Sequence, residues 1–155
     1  MRKTLSAIAI LATLFTGTAI SKEASSEKQA KTSAEFRQAL LQLVRSNMGP
    51  LGGMAKGQIP YDADAMQKYG LRIEQLGMMM PDYFETDTRK FSIKTEAADD
   101  IWENMADFNA KAQDMVDAAK SLQSVAAAGD EAKFRAAIGS VGSTCKACHD
   151  KYKTD

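Results

Sequence analysis

The chain contains few of the residues on which metal centres and redox sites depend: one histidine, two cysteines and one tryptophan in 155 residues. It also lacks an excess of either charge, since 20 Lys and Arg stand against 20 Asp and Glu. Without a basic excess, the composition argues against binding to nucleic acid or to an anionic membrane. The length suits one domain rather than two.

The N-terminus has the pattern of an export signal. Arg2-Lys3 precedes an apolar or small stretch from Leu5 to Ile20, and Ala19-Ile20-Ser21 has the small-x-small spacing of a cleavage site. We therefore predict a signal peptide over residues 1–21 that is cleaved near Ser21, which leaves a soluble periplasmic chain with no membrane segment. The loss of two basic residues and no acid gives that chain a net charge of about −2. An uncleaved N-terminal anchor is the alternative.

The mature chain divides into a short lead-in and one helical domain. Residues 22–31 are rich in Ser, Lys and Glu, which predicts a flexible lead-in. Over residues 32–155, apolar side chains recur at helical intervals without a strand pattern. Pro50 should break or kink the first helix, and Pro81 should end the second. The pattern predicts an all-α, antiparallel up-down-up-down four-helix bundle. The predicted helix starts are Thr32, Asp62, Thr95 and Asp130.

The one histidine directly follows the two cysteines, in Cys145-Lys146-Ala147-Cys148-His149. Cys-x-x-Cys-His is the haem c attachment pentapeptide. Two thiols must reach the two vinyl groups at one edge of a porphyrin, and the next residue must bring an imidazole to the iron. Positions i, i+3 and i+4 share one face of a helix, so all three groups can meet one planar cofactor. The motif predicts one covalently bound haem c.

The cysteine pair is also compatible with three simpler roles. A thioredoxin-like Cys-x-x-Cys requires a βαβ context, which the helical pattern does not provide. A zinc site lacks its fourth ligand unless a carboxylate completes it. A structural disulfide accounts for both cysteines of an exported protein but leaves the adjacent histidine unexplained.

Several further segments accompany the pentapeptide. They are Phe36-Arg37-Gln38, Lys56-Gly57-Gln58 before Pro60-Tyr61-Asp62, Ile101-Trp102 at the opening of the third helix, and Gly142-Ser143-Thr144. With a haem c motif at the C-terminal end of a four-helix bundle, the chain from about Ala34 to Lys153 resembles the class II cytochromes c, specifically the cytochrome c′ family. The resemblance implies a monohaem protein with its haem near the C-terminal helix.

The resemblance also implies roles for individual residues. Cys145 and Cys148 would form the thioethers, and His149 would be the axial iron ligand. Arg37 and Gln38 match positions that contact the haem propionates, and a guanidinium is a good partner for a carboxylate. Without the resemblance, the sequence would favour a solvent-exposed helix position for Arg37 over a haem contact.

Weaker matches lie elsewhere in the chain. Thr95 and Glu96 match positions near the haem edge, although a helix cap and a first-turn acid explain them almost as well. Trp102 and Phe108 match haem-pocket aromatics, with plain core residues as the alternative. Lys153 matches a basic position close to the axial histidine, and an exposed lysine in a last helical turn is the alternative.

The distal side of the haem decides the expected function. Leu41 lies one turn after Arg37, and in the family this position covers the sixth coordination site of the iron. Leucine has no donor atom, and the chain has no second histidine. The resemblance thus implies five-coordinate, high-spin iron that binds NO or CO at an apolar site, with electron transfer as a further role. A six-coordinate, low-spin class II cytochrome that only carries electrons is the alternative.

The sequence gives fewer indications of enzyme activity and of binding partners than of the cofactor. The sequence offers no distal His, Arg or acid for proton delivery, so a haem enzyme is not expected. Besides haem and the gases, the expected partners are an unidentified periplasmic redox protein and a second copy of the chain. The resemblance implies a homodimer packed through the first two helices.

Overall fold

Four long helices form the body of the protein in the computed structural model, which describes residues 21–154. Along the chain the elements are β1 (Lys22–Glu23), α1 (Glu27–Ala55), α2 (Ala63–Phe84), β2 (Thr86–Asp87), α3 (Asp100–Glu103), α4 (Met105–Ala127) and α5 (Phe134–Tyr152). Helix α2 packs against α1 and α4, and α5 packs against α4 and α1. The predicted all-α four-helix bundle is confirmed.

The export signal predicted over residues 1–21 lies outside the described residues except for Ser21. Among the helices that the structure describes, none combines the length and the apolar character that a membrane span requires.

Helix α1 begins earlier than predicted. The hydroxyl of Ser26 accepts a hydrogen bond from the N–H of Gln29 at 3.2 Å and caps the helix. Residues 22–31 therefore contain β1 and the first turn of α1 rather than a flexible lead-in. The polar composition of this segment was misleading because two of its alanines, Ala24 and Ala30, are buried in the fold.

Pro81 contradicts the prediction because it does not end α2, and Pro50 does not break α1, whereas a kink at Pro50 stays a prediction. Pro50 lies inside α1 and Pro81 lies inside α2. A proline in a helix interior costs about 3 kcal/mol, because it removes a donor and clashes with the preceding turn. The next turn buries apolar side chains, Leu51 and Met54 in α1 and Phe84 in α2. Burial on this scale offsets the cost, since each such side chain contributes about 1.5–3 kcal/mol.

The turn between α1 and α2 was predicted correctly. Gly57 ends α1 with φ at +71°, in the left-handed region that favours glycine. The carboxylate of Asp62 then caps α2 by accepting a hydrogen bond from the N–H of Ala65 at 2.9 Å.

The starts of the last two long helices were predicted wrongly. The Thr95 hydroxyl accepts a hydrogen bond from the N–H of Ala97 at 3.1 Å and forms a turn, and α4 begins only at Met105. Asp130 likewise forms a turn, with its carbonyl accepting from the N–H of Lys133 at 3.1 Å, and α5 begins at Phe134. Short polar side chains stabilise turns as readily as helix caps, so the sequence signal is ambiguous.

The interior consists of two apolar clusters. The main cluster joins all four long helices and includes Leu40, Leu51, Met66, Ile73, Leu122 and Val141. The aromatic cluster lies around α3 and comprises Phe84, Ile101, Trp102, Met105, Phe108 and Tyr152. Two partly buried residues, Leu41 and Tyr83, pack against both clusters.

Candidate cofactor site

Helix α5 contains the two cysteines and the histidine of the pentapeptide, which are the residues predicted to hold haem. Cys145 and Cys148 are half-buried free thiols, and His149 is exposed. Their i, i+3 and i+4 spacing on a continuous helix brings them to one side of α5. Cys145 packs against the main cluster and Cys148 against the aromatic cluster. The two thiols therefore face the apolar interior while the imidazole lies nearer to solvent.

The electrostatics of the thiols follow from this burial. Burial raises the pKa of Cys145, and it raises the pKa of Cys148 to about 11. Both thiols are thus protonated and neutral near pH 7. Within residues 21–154, no group of three or more His, Cys, Asp and Glu side chains is arranged to hold a metal ion.

Arg37 is a buried charge without a carboxylate partner among the residues that the structure describes. Its side chain is 2% exposed, and it donates hydrogen bonds to the carbonyl oxygen of Thr86 at 3.1 Å and to Oγ1 of Thr88 at 3.0 Å. Burial lowers the pKa of Arg37 to about 10, and the charge of Asp87 acts in the opposite direction. A buried guanidinium is costly unless it is paired, so this position suits an anionic group of a cofactor.

Aromatic rings enclose the same guanidinium. Cζ of Arg37 lies 5.5 Å from the ring centre of Phe84 and 5.1 Å from that of Trp102. Phe108 stacks on Phe84 with ring centres 4.6 Å apart and meets Tyr152 at 5.4 Å. The structure thus gathers Arg37, Trp102 and Phe108 around the aromatic cluster, next to Cys148.

Thr95 and Glu96 precede α3 in sequence, and Glu96 contacts the residues that directly follow α5. The carboxylate of Glu96 pairs with Nζ of Lys153 at 3.1 Å, and its carbonyl accepts from the N–H of Thr154 at 2.8 Å. A backbone bridge between Ala97 and Lys153 adds to this attachment. Gln38 is exposed on α1 and has no buried partner in the described part of the chain.

Leu41 occupies the junction of the two clusters. It is half-buried and packs against both of them. Cys145 packs against the main cluster only, and Cys148 packs against the aromatic cluster only. No nitrogen, oxygen or sulfur atom is present in its side chain, so it contributes only apolar surface. The aliphatic and aromatic surface here, with two thiols and the buried Arg37 nearby, has the chemistry that a porphyrin with carboxylates would contact.

Sequence reasoning missed three residues of this region. Thr86 and Thr88 hold Arg37, but the segment from 82 to 94 has no periodic pattern that could have indicated them. Tyr152, which ends α5, donates a hydrogen bond from its hydroxyl to the carboxylate of Asp107 at 2.6 Å. Its position three residues after His149 is the only local signal for it.

A family model described as cytochrome C′ matches residues 32–153. The chain belongs to the cytochrome c′ family. Proteins of this family carry covalently bound haem c, one per chain. Haem c is thus the cofactor of this cytochrome c′ domain.

Individual relatives cover most of the domain. Cytochrome c′ of Alcaligenes xylosoxydans xylosoxydans is 38% identical over 122 residues, which cover 77% of this chain and 91% of the relative. Cytochrome c-556 of Agrobacterium tumefaciens strain II Chrys is 37% identical over 120 residues, with 77% and 94% covered. The nitric oxide complex of a Leu-to-Ala mutant of Alcaligenes xylosoxidans cytochrome c prime aligns with a TM-score of 0.72 at 33% identity and covers 81% of this chain and 96% of that one.

Proposed function

We propose that this cytochrome c′ binds small diatomic gases, NO and CO, at an apolar distal site beside Leu41. Cys145 and Cys148 form the two thioethers to haem, and His149 is the axial iron ligand. When bound, haem iron supplies the atom at which a gas coordinates and at which an electron is held.

The residues divide into three roles. Arg37 neutralises a haem carboxylate, which gives its buried guanidinium the anionic partner that it otherwise lacks. Thr95, Glu96 and the exposed Gln38 border the haem edge. Phe108 and Trp102 supply apolar walls from the aromatic cluster. No residue has a catalytic role, and the protein is not proposed to be an enzyme.

The position of Leu41 carries the gas-binding proposal. It packs at the junction of both clusters, against which the two thiols also pack. An aliphatic side chain there excludes water and offers neither an iron ligand nor a hydrogen-bond donor. Neutral NO and CO lose little on entering such a site, whereas bound O₂ carries partial negative charge that finds no donor. The nitric oxide complex of a relative supports this choice of ligand.

A six-coordinate, low-spin electron carrier is the second candidate. A relative with a different name, cytochrome c-556, is as similar to this chain as the cytochromes c′ are, and this second candidate rests on that equal similarity. Such a carrier needs a sixth ligand from the protein. The one histidine of the chain is already assigned to the axial position and Leu41 has no donor atom, so the sixth ligand would have to be one of the nine methionines.

Absorption and EPR spectra of the purified protein test the proposal. A pyridine haemochrome assay identifies haem c with two thioethers, and a high-spin ferric signal together with a ferrous-CO spectrum is expected. A low-spin, methionine-ligated ferric haem that does not bind CO would overturn gas binding in favour of the electron carrier. An absence of covalent haem would refute the cofactor assignment of Cys145 and Cys148.

The proposal includes a homodimer packed through α1 and α2. Phe36 and Leu43 are seven residues apart on α1, and each is more than half exposed. The ring of Phe36 meets Tyr83 of α2 edge to face, with centres 6.3 Å apart, so this apolar surface runs across both helices. A second copy of the chain would cover it.

The proposed setting is the periplasm, after removal of the signal peptide near Ser21. The export pattern at the N-terminus of the sequence supports this setting. An unidentified periplasmic redox protein would exchange electrons with the haem.

A further inference from the structure

The strand β1 and the buried Arg37 are connected through one short segment, Thr86–Thr88. On one side, the N–H groups of Lys22 and Ala24 donate to the carbonyl oxygens of Glu85 and Asp87, both at 2.9 Å. On the other side, the guanidinium of Arg37 donates to Thr86 and Thr88. Both hydrogen bonds of Arg37 thus end on the segment that β1 holds in parallel register.

The contact between β1 and this segment is anchored. Ala24 is 1% exposed and Thr88 is 3% exposed, so both sides of the pairing have a buried residue. Glu23 adds an exposed ion pair with Nζ of Lys90 at 2.7 Å. The segment itself lies in the long connection between α2 and α3, where β2 is its only regular element among the described residues.

The need for such an anchor follows from the surroundings of Arg37. The rings of Phe84 and Trp102 lie against the guanidinium without directional contacts, whereas the hydrogen bonds to Thr86 and Thr88 fix its orientation. If the 86–88 segment moved, both acceptors would move together.

We infer that β1 is a positioning element that holds the Thr86–Thr88 segment where it fixes the guanidinium of Arg37 beside the haem. The inference rests on the proposed contact between Arg37 and a haem carboxylate. It gives the first residues of the mature chain a function in the haem site, although they lie far from the pentapeptide in sequence.

Paired proline substitutions separate this role from a general effect on folding. In a parallel ladder alternate N–H groups point to the partner strand. Ala24→Pro therefore removes a donor to β2. Glu23→Pro removes an N–H that points away, together with the exposed ion pair to Lys90, which contributes little because solvent screens it. Both are made in the full chain, and mass spectrometry verifies equal signal cleavage and haem loading. The reduction potential of each is measured in the wild-type background and in the Arg37→Gln background.

We expect Arg37→Gln to lower the potential, because a fixed positive charge near haem stabilises the reduced form. Ala24→Pro should lower it in the same direction, Glu23→Pro should leave it unchanged, and Ala24→Pro should add nothing in the Arg37→Gln background. If Ala24→Pro does not give loaded protein, Ala24→Val overfills the same buried site and retains the N–H, and a smaller shift in the same direction is expected.

The contrary outcomes are distinct. A shift with Arg37→Gln but with neither Ala24 variant overturns the role of β1 and leaves the proposed function intact. A shift from the Ala24 variants that persists without Arg37 overturns the link between the two. No shift with Arg37→Gln refutes the contact of Arg37 with the haem, and with it the inference that depends on that contact.

Discussion

Gly77 of α2 lies so close to Val116 of α4 that a Cβ on Gly77 would stand 2.8 Å from Cγ2 of Val116. Gly70, two turns earlier, makes a similar approach to Gln123. The two glycines therefore let α2 and α4 pack closely beside the main cluster, to which Met115 and Leu122 belong.

Gly77→Ala should destabilise the protein. The β-branched side chain of Val116 has little rotamer freedom, so the added methyl group forces a backbone shift that costs about 1–3 kcal/mol. Denaturant unfolding of the haem-loaded protein measures this change. Gly139→Ala is the matched control, because nothing lies within 4 Å of its Cβ position on α5, and it should stabilise by up to about 1 kcal/mol. Equal effects of the two substitutions would contradict the packing argument.

Leu41→Ala should raise the affinity for CO and NO. Removing the side chain at the junction of the clusters opens the distal site, so the gas no longer has to displace it. We expect an increase in affinity on the order of tenfold, which corresponds to about 1.4 kcal/mol of binding free energy. Laser photolysis and titration of the ferrous protein measure it. Leu71→Ala, at an exposed position of α2, should leave the affinity unchanged. An unchanged affinity in Leu41→Ala would show that Leu41 does not control access.

Cys148→Ala should leave haem with one thioether at most. The two cysteines cannot substitute for one another, because each would reach a different vinyl group at the porphyrin edge. Intact-mass analysis and the pyridine haemochrome band measure the number of links after expression with cytochrome c maturation machinery. Ala147→Ser changes an exposed position within the same pentapeptide and should load normally. Two thioethers in the Cys148→Ala protein would disprove the assignment.

Leu43→Glu should convert a dimer into a monomer. It introduces a charge into the exposed apolar surface formed by Phe36 and Leu43, and burial of an unpaired charge is unfavourable. Sedimentation velocity measures the oligomeric state. Ala136→Glu places the same charge at an exposed position of α5, a helix outside the proposed interface, and this protein should stay dimeric. A monomeric wild-type protein, or a Leu43→Glu protein that remains dimeric, would refute this interface.

Asp87 should contribute stability that depends on pH. Burial raises the pKa of Asp87, but the hydrogen bonds and charge of Arg89 outweigh it, so the net pKa is below the ordinary value. A depressed pKa means that the folded state binds fewer protons, so this contribution is complete above the unfolded pKa and is lost as pH falls through the folded pKa. The loss of stability in Asp87→Asn should therefore be constant above about pH 5 and shrink below about pH 4.

Urea unfolding of both proteins between pH 3 and pH 7 measures this difference. Asp114→Asn removes an exposed acid of α4 and controls for the loss of one negative charge. If the difference in unfolding free energy between wild type and Asp87→Asn grew as the pH fell, the predicted contribution of Asp87 would be contradicted.

The helix boundaries show which structural features a local pattern can predict. Gly57 and Asp62 were predicted correctly because their effects are complete within one turn: a left-handed φ in one case and a side-chain cap in the other. The break predicted at Pro50 and the helix end predicted at Pro81 are absent because the local cost of each proline is offset by burial of the following turn against other helices. No window along the sequence contains that compensation.

By itself, the sequence determined the helical bundle and the pentapeptide, because apolar periodicity and the i, i+3, i+4 spacing of Cys145, Cys148 and His149 are properties of one helix. Only the tertiary structure decided what surrounds them. The acceptors of Arg37 lie about fifty residues away in a segment without periodicity, and β1 reaches that segment from the start of the domain. Such contacts form when distant segments are packed together, so their energies depend on burial and geometry that no local pattern encodes.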